Sequence, residues 1–100
     1  MYRQGDVLII PVNEIPEEVE AVKRENGRLI LAEGEATGHA HAIASQHARM
    51  YAAGIGMFLV LKKAAELLHE EHGKIDLPPG NYQVIRQREY DPVRERLVRD

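Results

Sequence analysis

Short apolar runs recur along this chain, and turn-forming residues separate them about every eight to twelve positions, the spacing of an all-β domain. Val7-Leu8-Ile9-Ile10-Pro11-Val12 reads as a buried first strand, with Pro11 marking an edge or an end. Asn13 to Glu18 reads as a connection, because Pro16 keeps Ile15 out of helical geometry. Pro16-Glu17-Glu18 alternatively opens a short helix. Asn26-Gly27 supplies the positive φ angles of a type I′ turn and predicts a hairpin between residues 19–23 and 29–31. From His39 to Ser45 the chain alternates, which sets His39, His41 and Ile43 on one face of a strand. Residues 46–56 read as a second, less regular hairpin, and Met57 to Leu61 as a buried strand. Ile75 to Leu77 is another strand, and Pro78-Pro79-Gly80-Asn81 a turn. Tyr82, Val84, Arg86, Arg88 and Tyr90 share one face of a last long strand. Residues 91–100 are a tail or a terminal strand.

Lys62 to His72 is the ambiguous segment. Its composition favours a helix closed by Gly73, whereas its neighbours on both sides favour a strand. A helix puts His69 and His72, three apart, on one side. A strand keeps His69 with Leu67 and Glu71 and turns His72 to the opposite face. The expected architecture is a single domain over residues 1–100: a small β-barrel or sandwich of about seven to nine short strands, with one short helix as an option.

Composition narrows the function. The net charge of −3 argues against non-specific nucleic-acid binding, which needs a positive field. The arginines of the last fifteen residues are nearly balanced by Glu89, Asp91, Glu95 and Asp100, as on a solvated mixed-charge surface. With no cysteine, disulfides, thiolate metal sites and cysteine nucleophiles are excluded. The N-terminal residues lack a signal-peptide layout, and Val7–Val12 is too short to span a bilayer, so a cytoplasmic protein is expected.

Chemistry concentrates in the histidines. Four of the five fall in two clusters, Thr37-Gly38-His39-Ala40-His41 and His69-Glu70-Glu71-His72. Imidazole with carboxylate is the usual ligand set for a divalent zinc, iron, nickel or manganese ion. His39 and His41 on one strand face stand roughly 7 Å apart, close enough to converge on one ion. The second cluster is not the helical zinc-protease motif, which spaces its histidines four apart. It offers His69 and His72 as ligands, and a carboxylate that orients a ligand or takes a proton. His47 reads as a solvent-exposed loop residue. Arg86 and Arg88 read as partners of glutamates on neighbouring strands.

Two resemblances follow from these residues. Gly34-x4-His39-Ala40-His41 with the later Pro78-Pro79-Gly80 resembles an abbreviated first motif of the cupins, small β-barrels that hold a metal with His-x-His, a glutamate and a later histidine. The chain departs from that pattern by placing Ala44, Ser45 and Gln46 where the glutamate belongs, and His69 and His72 before the proline turn. The series Gln4-Gly5-Asp6-Val7-Leu8, Gly34 to His41, Leu68 to His72, Leu77-Pro78-Pro79-Gly80-x-Tyr82-x-Val84 and Gln87 to Tyr90 is similar to a group of small uncharacterised bacterial and phage proteins. That similarity implies only that the two histidine clusters travel together.

Two functions are expected from different classes. One is a divalent-metal site on a small β-barrel, with His39, His41, His69 and His72 as ligands and Glu71 as general base in metal-assisted hydrolysis. The other is a non-catalytic homo-oligomeric module with its histidines at a subunit interface, since small β domains have open edges to hide.

Overall fold

A computed structural model describes residues 1–34 and 38–87. The expectations for Glu35 to Thr37, for Arg88 and Tyr90, and for the tail from residue 91 lie outside them. Among the described residues ten strands form and there is no α-helix. They are β1 (Tyr2–Gln4), β2 (Val7–Val12), β3 (Glu20–Ala21), β4 (Leu29–Glu33), β5 (Ala40–Ile43), β6 (Ala48–Ala53), β7 (Gly56–Leu61), β8 (Ala65–Leu67), β9 (Ile75–Leu77) and β10 (Gly80–Arg86). No helix among the described residues is long and apolar enough to cross a membrane.

The largest sheet has six strands in the order β1-β2-β10-β7-β6-β3, with antiparallel neighbours. It is open rather than closed into a barrel, so of the two expected architectures the sandwich is the one formed. Strand period and register together build its inner face. Ile9 stands opposite Val84, which stands opposite Met57; Tyr82 stands opposite Leu59, which stands opposite Met50. These side chains pack with Leu29, Leu31 and Ile43 of β4 and β5, and with Ala65, Leu67 and Leu77 of β8 and β9.

β4 pairs with β5, and β8 with β9. Among the described residues one antiparallel bridge joins the two pairs: Ala42 and Leu68 exchange both backbone hydrogen bonds at 2.9 Å.

Several expectations change. The Asn26-Gly27 turn forms as read, with φ of 53° and 79°, and Glu25 and Arg28 close it with two backbone bonds. The flanking strands then part, β3 joining β6 and β4 joining β5, so the turn caps no hairpin. The second hairpin is regular and longer than expected, with β6 and β7 paired from Ala48↔Leu61 to Ala53↔Gly56. Pro16 to Glu18 opens no helix. β1 was not expected; it folds back on β2 through Gly5-Asp6, where Gly5 takes the positive φ of 58° that such a two-residue turn requires. In the ambiguous segment only Ala65 to Leu67 is strand, and His69 to His72 is a bent loop rather than helix or strand.

Candidate metal centre

The Ala42–Leu68 bridge decides how the two histidine clusters meet. Continued outward one residue at a time, its antiparallel register faces His41 with His69, Ala40 with Glu70 and His39 with Glu71. The side chains bear this out. The His41 and His69 ring centroids are 4.3 Å apart. Glu70 accepts a hydrogen bond from the backbone N–H of Ala40 at 2.9 Å, which holds its carboxyl below the ordinary value. His39 Nδ1 lies 3.2 Å from Glu71 Oε1. The bent loop then returns His72 to the group, 4.6 Å from the His69 ring and stacked 5.9 Å from that of His41. A strand would have turned His72 away; the bend after Leu68 is what the sequence reading lacked.

His39, His41, His69, Glu71 and His72 thus line one cavity of about 340 Å³, together with Gly5, Asp6, Gly34 and Arg86. His47 is not among its lining residues. Two glycines make room for the rings. A Cβ on Gly5 would stand 2.7 Å from His72 Nε2, and one on Gly34 would meet His39 Cβ at 2.8 Å and His69 Nε2 at 3.0 Å.

The first β-turn supplies residues that sequence reasoning passed over. Gln4 is 2% exposed, and both hydrogens of its amide are engaged, donated to Leu67 O at 2.9 Å and to Gly73 O at 3.0 Å. Its carbonyl Oε1 must therefore accept, and it faces His41 Nδ1 at 2.8 Å. His41 therefore carries a proton on Nδ1, and its Nε2 points the other way, where Asp6 Oδ1 stands 3.4 Å off. Arg86 Nε donates to the other carboxylate oxygen of Asp6 at 3.2 Å. Arg86 thus pairs with Asp6, not with a glutamate as the strand pattern suggested.

Electrostatics follow this packing. Burial lowers the pKa of His41 below the ordinary 6.5, helped by the neighbouring His69, His72 and Arg86, against the pull of Asp6. Burial pushes Asp6 upward, but the hydrogen bond and charge of Arg86 outweigh it and hold the carboxyl below 3.8.

The lone pairs of the other rings are dispersed. His69 Nδ1 accepts from the backbone N–H of Glu71 at 3.0 Å, which leaves the neutral ring's proton on Nε2. His39 Nδ1 is buried without a hydrogen-bond partner, because Glu71, though near, is out of line for one. Among the described residues no three of these side chains already aim their donor atoms at one ion. The imidazoles share a cavity; converging on one ion takes rotation of the rings of His39, His69 and His72.

The signal that would have exposed Gln4 and Asp6 was present in the sequence as Gln4-Gly5-Asp6. Its value lay in a tertiary contact with residues more than thirty positions away, and no local pattern reports that.

A family model described as a domain of unknown function (DUF8820) matches residues 3–87, so the chain belongs to that family. No curated protein and no solved structure matches it.

Proposed function

We propose that this member of the DUF8820 family binds a divalent transition metal (zinc, iron, nickel or manganese) in its histidine cavity, in support of metal-assisted hydrolysis. The observation that carries the reading is the convergence of four imidazoles from two distant segments on one cavity, with the His41 tautomer fixed by a buried amide. Second-side hydrogen bonding of that kind orients ligand histidines. A divalent ion held there supplies Lewis acidity. His39, His41, His69 and His72 are the ligand candidates. Glu71 lines the cavity with 62% of its side chain exposed and is the proposed general base.

Elemental analysis of protein purified without a histidine tag tests this. About one equivalent of a transition metal is expected, and less than roughly a tenth, with no uptake on dialysis against zinc, nickel or manganese, would overturn it. The double substitution His39→Ala, His41→Ala should abolish uptake, with circular dichroism checking that the fold survives loss of the buried His41. If it instead disrupts assembly of a protein that takes up no metal, the histidines serve a subunit contact.

A further inference from the structure

The Gln4-Gly5-Asp6 turn adds a third limb to the histidine site. Both amide hydrogens of Gln4 are engaged by Leu67 O and Gly73 O, the carbonyls that flank the His69–His72 loop. Gln4 can therefore only accept from His41 Nδ1, and His41 Nε2 is the nitrogen turned toward Asp6 Oδ1. A zinc-sized cation fits between that nitrogen and the carboxylate oxygen. The 3.4 Å separation matches that cation's size. Two ligands about 2.1 Å from a tetrahedral ion stand roughly 3.4 Å apart. Arg86 occupies only Oδ2 of Asp6, which leaves Oδ1 for monodentate coordination and supplies the hydrogen bond that ligating carboxylates usually carry.

From this geometry we infer that Asp6 is a ligand of the metal centre, shared with His41 Nε2, and that Gln4 is the positioning residue that turns that nitrogen toward it. The inference rests on the metal-binding reading above and adds to it the charged member of the ligand set. The donor set is then mixed nitrogen and oxygen. Gly5 belongs to the same limb, since its missing Cβ is what lets His72 lie against the turn.

Zinc affinity by chelator competition, on wild type and Asp6→Asn, is the first arm of the test. The amide oxygen of asparagine keeps the bond from Arg86 and removes the charge. Affinity should fall at least about tenfold, the least that loss of even an outer-shell partner costs. The second arm is Asp6→Cys loaded with cobalt(II). The chain has no other cysteine, so a thiolate-to-cobalt charge-transfer band can arise only from position 6. That band decides the matter even where Asp6→Asn folds poorly. The third arm is imidazole nitrogen NMR of the metal-free protein, which should show His41 protonated on Nδ1. Wild type that binds zinc while Asp6→Asn binds equally well, with no thiolate band from Asp6→Cys, overturns the ligand role of Asp6 and leaves the metal site standing. A His41 ring with no proton on Nδ1 overturns the role given to Gln4. Wild type that binds no metal overturns both readings.

Discussion

At the scale of single residues, Gln4 carries more than its position near the chain start suggests. One buried amide joins β1, β5 and both ends of the His69–His72 loop. Replacing it by alanine strands the buried Leu67 carbonyl and the Nδ1–H of His41, and takes the donor from the Gly73 carbonyl. A buried polar group left unpaired costs roughly 1–3 kcal/mol, and neighbours in one network do not add fully. Gln4→Ala should therefore lower the unfolding free energy by about 2–4 kcal/mol, read as a lower urea midpoint at constant m. A change under about 0.5 kcal/mol, the range of an ordinary surface substitution, would show that water replaces the amide and that the network does not hold the loop. The histidines of this network were legible in the sequence because their types and spacing are themselves the signal. Gln4 was not, because a glutamine reads as polar surface until its three partners are known. Asp6 was hidden in the same way.

At the scale of elements, β2, β7, β9 and β10 were legible because each is an apolar or alternating run between turn formers. β1 and β3 were not. β1 has three residues and β3 two, and both hold their place through their partners rather than through any pattern of their own. The Asn26-Gly27 turn shows the same limit from the other side: local chemistry fixed the turn, and pairing with β5 and β6 decided where its arms went. β10 allows a clean test of packing. Tyr82 is 3% exposed at the centre of the main sheet, where its hydroxyl donates to Pro78 O. Burial raises its pKa above the ordinary 10.0, with a smaller push from Tyr2. A phenol whose pKa is higher folded than unfolded contributes stability that is full below the unfolded value and is lost as pH rises through the folded one. The stability advantage of wild type over Tyr82→Phe should then be constant up to about pH 10 and shrink above it. Comparing the two proteins cancels the lysines and arginines that titrate in the same range. An advantage that does not shrink would mean that Tyr82 ionises as readily folded as unfolded, and that the sheet is looser around it than its burial indicates.

At the scale of the whole molecule, the candidate site gathers the β1–β2 turn, β5 and the loop after β8, which come from the start, the middle and the later part of the chain. Among the described residues, β5 and the loop after β8 are linked directly by the Ala42–Leu68 backbone bridge, flanked by the hydrogen bond from Ala40 N–H to the Glu70 side chain. An ion held by side chains from all three segments would cross-link them in the folded state alone, because the unfolded chain cannot assemble the cavity. Ligand linkage then sets the size of the effect. At a free concentration a hundred times its Kd, zinc should add about 2.7 kcal/mol to the unfolding free energy. For a domain of this size each kcal/mol moves Tm by roughly 4–8 °C, so the melting temperature should rise by about 10–20 °C. Differential scanning calorimetry with and without zinc measures this directly. The rise should grow with the logarithm of zinc concentration, vanish on chelation, and be absent from His39→Ala, His41→Ala. A zinc-independent Tm in wild type would mean that the cavity brings imidazoles together without holding an ion. A rise that persists in the double variant would place the binding elsewhere on the chain, at His47 or among the surface carboxylates, and would remove these histidines from the site.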